Sequence, residues 1–180
     1  MNAAVFVGTS LDGFIARRDG KLDFLPAGGG EDHGYSEFFA GVDTLVIGRK
    51  TYETVLEFPE WPYGSKPIVV LSSREIERPR DSRAIVERMA GHPREIVARL
   101  EARGARDLYV DGGVTIQRFL EAGLIQRLVV TRVPVLIGSG IPLFGPLSRD
   151  IRLRHIETRQ YPSGLVTSEY TIISDREEAP

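Results

Sequence analysis

The sequence predicts an α/β domain built on a mostly parallel sheet with an antiparallel C-terminal edge. Three observations predict it. Short Val- and Ile-rich runs recur along the chain without regular polar alternation, as strands buried on both faces do. Helix-like stretches with recognisable start and stop residues separate these runs. The last third differs: two strand-like stretches flank Pro162-Ser163-Gly164, the pattern of an antiparallel hairpin.

The predicted strands are Ala3–Gly8, Thr44–Ile47, Ile68–Leu71, Leu108–Val110 and Leu128–Val135. The first predicted helix, Asp32–Ala40, is weakened by Gly34. The second, Lys50–Phe58, starts around Thr51 and is stopped by Pro59. Pro93–Arg103 carries the clearest helix signal, with Pro in its first turn, Ile96, Val97 and Leu100 on one face, and Gly104 at its end. Thr115–Ala122 is again followed by Gly. Leu153–Gln160 and Leu165–Ile173 form the hairpin. Pro26–Gly30 and Glu77–Ser82 read as flexible loops. Residues 1–174 read as a single domain and residues 175–180 as a frayed tail.

Composition removes several function classes. The formal net charge of -2 leaves no basic footprint for nucleic acid or an anionic membrane. The absence of cysteine excludes disulfides, thiolate metal sites and cysteine nucleophiles. His33, His92 and His155 are far apart in sequence, so no bound metal is expected. The N-terminus lacks the basic and apolar regions of a secretion signal, and no apolar run approaches a bilayer span. The expected location is the cytoplasm.

Familiar phosphate loops are missing. Gly138-Ser139-Gly140 begins a G-x-G-x-x-G pattern, but Leu143 stands in place of its third glycine. In Gly48-Arg49-Lys50-Thr51 an arginine separates glycine from lysine, unlike a P-loop. What remains are three strand ends. Thr44–Ile47 runs into Gly48-Arg49-Lys50-Thr51, a helix start with free N–H groups and a guanidinium suited to phosphate, or else a plain junction capped by Thr51. Leu108–Val110 runs into Asp111-Gly112-Gly113-Val114-Thr115, where paired glycines admit close approach of a ligand or make a tight turn. Ile68–Leu71 ends in Ser72-Ser73-Arg74, two hydroxyls and a guanidinium. On parallel strands the three junctions converge on the carboxyl edge, where open α/β sheets bind ligands.

Four ordered blocks carry a family resemblance: Thr9–Ala16, Gly48–Glu53, Val110–Thr115 and Val133–Gly140. With them the chain resembles the dihydrofolate reductase superfamily, and most closely the branch of the riboflavin-biosynthesis deaminase/reductase C-terminal (reductase) domain. The resemblance implies a three-layer dihydrofolate-reductase-like fold, a homodimer, and hydride delivery from NADPH to a pterin- or aminopyrimidine-like heterocycle. It implies that Val7, Gly8, Ile15 and Ala16 line the nicotinamide. Gly48, Arg49, Lys50 and Thr51 then hold the phosphates, and Gly112, Gly113, Val114 and Thr115 meet the pyrophosphate, with a cis bond between the glycines. Ser72, Ser73 and Arg74 take the adenosine 2′-phosphate. Asp32 stands where the superfamily keeps its substrate carboxylate, a role in which burial raises the pKa; its other reading is a helix cap. Trp61 reads as a loop anchor before a pocket residue. A cofactor-binding sensor or interaction module without turnover is the second reading.

Overall fold

Asn2–Ser10 forms β1, whose alternate residues Ala3, Val5 and Val7 are buried in one core while Ala4 and Phe6 face a second. Two buried faces demand cover on both sides, and the helices supply it. The computed structural model describes residues 1–26 and 31–173. Most of the Pro26–Gly30 loop and the 175–180 tail, both expected to be loose, lie outside the described residues.

β1 is followed by β2 (Phe14–Ala16), α1 (Tyr35–Ala40), β3 (Thr44–Gly48), α2 (Arg49–Leu56), β4 (Ile68–Leu71) and β5 (Val86–Met89). Then come α3 (Pro93–Ala102), β6 (Asp107–Asp111), α4 (Gly113–Glu121), β7 (Arg127–Val133), β8 (Ile141–Pro142), β9 (Leu153–Gln160) and β10 (Val166–Ile172). The main sheet has eight strands in the order β5-β4-β3-β6-β1-β7-β10-β9. Its pairs are parallel from β5 to β7, and β10 pairs antiparallel with both β7 and β9. The expected antiparallel C-terminal hairpin is present at that edge. β2 and β8 make a separate two-stranded antiparallel ribbon.

The layers follow from which residues meet which face. Ile96 and Leu100 of α3 and Ile116, Phe119 and Leu120 of α4 pack with Val5, Val46 and Val110 on one side. Phe38 of α1 and Tyr52 and Val55 of α2 pack with Leu45, Ile47 and Val70 on the other. Sheet between two helix layers is the three-layer arrangement expected.

The differences from the sequence reading have local causes. β5 has two exposed charged residues at its centre and lies at the sheet edge, so its run looks like a loop. α1 begins at Tyr35 and not at Asp32, because His33 (φ 52) and Gly34 (φ 85) both adopt positive φ. α4 begins at Gly113, earlier than Thr115, which places the second glycine inside the helix's first turn. Among the described residues, no helix is long and apolar enough to cross a membrane.

Candidate active site

β3 and β6 lie side by side with Ile47 opposite Asp111, so both strands end at one level. β3 passes into α2 at Gly48 and β6 passes into α4 at Gly112. The two junctions interlock. A Cβ on Gly48 would stand 2.7 Å from Thr115 Oγ1 of α4, and one on Gly112 would overlap Thr51 Oγ1 of α2. Each helix start thus lays a threonine over the other's glycine, which only a residue without Cβ permits. Two sets of free backbone N–H groups, and two partial positive charges, are brought together. Among the described residues no peptide bond is cis. The implied cis link between Gly112 and Gly113 is therefore corrected: the bond is trans, and the turn is made by Gly112 at φ 94 and ψ 130.

A cleft of about 810 Å³ opens over this edge. Gly48, Arg49, Lys50 and Thr51 form one wall and Gly112, Gly113, Val114 and Thr115 another. Val7 and Gly8, near the end of β1, lie in the floor, and Leu25 folds over Gly8, where a Cβ would meet Leu25 Cδ2 at 2.9 Å. Ile15 and Ala16 of β2, with Ile141 of β8, make a further wall. That ribbon is seated on α4: a Cβ on Gly113 would touch Ile15 Cδ1 at 3.0 Å and Ile141 Cγ2 at 3.2 Å. Val114 is 65% exposed at the cleft, and Arg49 forms an ion pair with Glu53 at 2.6 Å.

Ser72, Ser73 and Arg74 stand apart from these walls, just past Leu71, which does line the cleft. Ser72 is buried, and its hydroxyl accepts from Arg74 N at 3.0 Å and donates to Arg74 O at 2.7 Å, holding a tight turn. Ser73 and Arg74 are exposed at the rim. Trp61 is an anchor: its indole N–H donates to Gly64 O at 3.1 Å, and its ring packs edge-on against Tyr52 and Tyr63.

The expectation of a desolvated carboxyl at Asp32 is corrected. Asp32 is exposed and does not line the cleft. Its carboxylate accepts from Ser36 N at 3.1 Å and from Ser36 Oγ at 2.5 Å. The Ser36 hydroxyl bond, with backbone bonds behind it, holds the Asp32 pKa below the ordinary carboxylate value. Asp32 thus satisfies a free N–H in the first turn of α1. Asp32→Ala is expected to cost about 1 kcal/mol, as loss of a helix-start acceptor does, a difference that urea unfolding measures.

The cleft's desolvated carboxyl is Asp111, at the end of β6 directly before the glycines. Burial pushes its pKa up from 3.8 to about 6, against the pull of the Gly112 N–H, which donates to Oδ1 at 2.7 Å. Tyr63 and Tyr109 line the cleft beside it, and both phenols are raised well above their ordinary value, first by burial and then by the Asp111 charge. Tyr109 Oη donates to Phe6 O at 2.8 Å, fixing that ring. The sequence holds one signal for Asp111: an ionisable residue ending a strand buried on both faces.

The RibD C-terminal domain family matches residues 3–167. The chain belongs to this family. Bacillus subtilis YwjB is 34% identical over 160 residues, 87% of this chain and 90% of YwjB. A solved protein of Shewanella sp. PV-4, linked by name to riboflavin biosynthesis, is 41% identical with a TM-score of 0.88, covering 97% of this chain and all of that one. The diaminohydroxyphosphoribosylaminopyrimidine deaminase/5-amino-6-(5-phosphoribosylamino)uracil reductase of Thermotoga maritima matches in fold at 14% identity and TM-score 0.76, over 96% of this chain and 56% of its own. Dihydrofolate reductase of Enterococcus faecalis, solved with NADP(H), shares the fold at 17% identity and TM-score 0.65, over 96% of this chain and 97% of that one.

Proposed function

We propose that this RibD C-terminal domain protein is an NADPH-dependent reductase of a pterin- or aminopyrimidine-like heterocycle. The interlocked pair of helix starts at Gly48 and Gly112 is the observation that supports it best. Two glycines are kept free of side chains at neighbouring strand ends, under a cleft wide enough for a dinucleotide. The names of relatives point the same way. The Thermotoga maritima protein is called a 5-amino-6-(5-phosphoribosylamino)uracil reductase, and the Enterococcus faecalis enzyme was solved with NADP(H).

In this reading Gly48, Arg49, Lys50 and Thr51, with Gly113, Val114 and Thr115, hold the cofactor's phosphates through backbone N–H groups, hydroxyls and the two cations, while Gly112, whose own N–H is held by Asp111, gives the pyrophosphate room to approach the turn. Val7, Gly8, Ile15 and Ala16 give the nicotinamide a flat apolar seat that excludes water. Arg74 and Ser73, exposed at the rim past β4, reach the adenosine 2′-phosphate. NADPH, when bound, supplies the hydride. The chain supplies position and a proton: the proton-handling role expected of Asp32 passes to Asp111, whose carboxyl holds a proton near pH 6. The chain is read as a cytoplasmic homodimer.

Arg74 gives the test. Arg74→Ala is expected to raise KM for NADPH about tenfold, the loss of one charge-assisted contact. KM for NADH should stay where it was, with both rates followed at 340 nm. An equal rise for both nucleotides would remove Arg74 from the 2′-phosphate. Binding of NADPH without oxidation across dihydropterin and pyrimidine substrates would favour the sensor reading.

A further inference from the structure

In the cofactor reading above, the β2–β8 ribbon forms the wall against which the nicotinamide lies, and little holds its two strands together. They share two residue pairs, Phe14 with Pro142 and Ala16 with Ile141, with an irregularity between them. Pro142 has no N–H to give to a ladder. A two-stranded ribbon of this size is marginal in water and takes its position from what it rests on.

It rests on α4. Gly113 makes the first contact, since a Cβ there would touch Ile15 and Ile141. Gln117 lies one turn further along the same side of the helix. Its Nε2 donates to Pro142 O at 3.0 Å and to Leu143 O at 3.4 Å, and among the described residues these are the hydrogen bonds between α4 and the exit of β8. The Leu143 side chain is buried in the same core as Ile116 and Phe119, which fixes how deep the chain runs. The Gln117 amide fixes the two carbonyls, and with them the direction in which β8 leaves. Room for that amide is kept at Gly145, where a Cβ would stand 2.7 Å from Gln117 Oε1. Further ties join the ribbon's two arms to each other. Leu143 N donates to Gly13 O at 3.0 Å, and the Asp12 carboxylate accepts from Gly138 N at 2.7 Å.

Ile15, Ala16 and Ile141 line the cleft and Gln117 does not, so the amide acts there through the ribbon. The helix that carries it starts at the turn read above as meeting the pyrophosphate. We infer that Gln117 is a positioning residue for the nicotinamide ring: it seats the ribbon on α4, and so fixes the Ile15, Ala16 and Ile141 wall relative to the phosphate-holding turn. A ring whose seat is fixed in advance binds without the cost of ordering that seat. The inference rests on the cofactor reading above, and its test separates the two.

Calorimetric titration of the full chain with NADPH and with 2′-phospho-ADP-ribose, the same molecule without the nicotinamide, reads the ring's share of the affinity. The wild-type chain is expected to bind NADPH at least about tenfold more tightly, the contribution of one buried ring. Gln117→Met, which keeps the length and removes the N–H donor, should bind the two alike, with the wild-type affinity for 2′-phospho-ADP-ribose. A contact that served the fold alone would, when lost, weaken both ligands together or leave the preference intact, and either result overturns the inference. If Gln117→Met does not fold, Gln117→Glu, which keeps the shape and when ionised also lacks the donor, decides on the same ratio. Equal binding of both ligands by the wild-type chain overturns the inference and leaves the phosphate-holding turn standing. Binding of neither sinks the cofactor reading itself.

Discussion

Gly112→Ala is expected to abolish NADPH binding while leaving a folded protein. Two separate penalties meet at this position. The backbone sits at φ 94, where an L side chain is strained by about 1–3 kcal/mol. The new methyl would also overlap Thr51 Oγ1, so the start of α2 must move away from the start of α4. The second penalty acts on the site, since the two helix starts no longer converge. Gly104 separates them experimentally. Its φ is 93, almost that of Gly112, yet nothing stands within 4 Å of the place its Cβ would take. Gly104→Ala should therefore show a similar backbone cost in urea unfolding with NADPH affinity intact, whereas Gly112→Ala loses at least about a hundredfold in affinity, or about 2.7 kcal/mol. Equal nucleotide affinity in the two variants would mean that the interlock is only packing.

Asp111→Asn is expected to change both the pH dependence of stability and the turnover. Burial raises the Asp111 pKa from 3.8 to about 6 in the folded chain. The fold therefore favours the protonated form, and its contribution is fully present below about pH 4 and lost as pH rises through 6. Over that window the wild-type protein should lose up to about 3 kcal/mol, the linkage value of a two-unit shift. The asparagine variant, whose Oδ1 can still accept from the Gly112 N–H, should lack this window and be the more stable protein at pH 7. Its kcat should fall by about 10²–10⁴, the usual contribution of a positioned proton donor. The wild-type decline in kcat as pH rises past about 6 should vanish with it. An unchanged pH–rate profile in the variant would take Asp111 out of the proton transfer.

The fold was largely legible because its signals are local. Val46, Val69 and Val110 lie in uninterrupted apolar runs, and strands buried on both faces have to look that way. Pro93 and Gly104 bracket α3, with the helix ending two residues before the glycine. β5 escaped because its centre is Glu87-Arg88 on an edge, where tolerance of charge erases the strand pattern. Most of the cleft's lining was legible too, because strand-to-helix turns that pass this close to a neighbouring helix need glycine at set places. Gly48 and Gly112 were visible as residues, but their interlock through Thr51 and Thr115 depends on register between β3 and β6, which no local pattern encodes. The desolvated setting expected of Asp32 failed for the same reason. Sequence offset from Gly48 placed it on the first helix, but two positive-φ residues moved the helix start and left Asp32 bonded to Ser36 in solvent. The carboxyl that burial does perturb, Asp111, lies close enough for its charge to raise the phenols of Tyr35 and Tyr63, residues remote in sequence and near it only in the fold.

Thermal melting of the wild-type chain with NADPH and with NADH tests the central claim most directly. A ligand that binds only the folded state adds about 2.7 kcal/mol at a hundred times its dissociation constant. The account predicts a concentration-dependent rise in Tm with NADPH, a smaller one with NADH, and none with NADPH in Gly112→Ala. Unchanged melting with either nucleotide at millimolar concentration would contradict it.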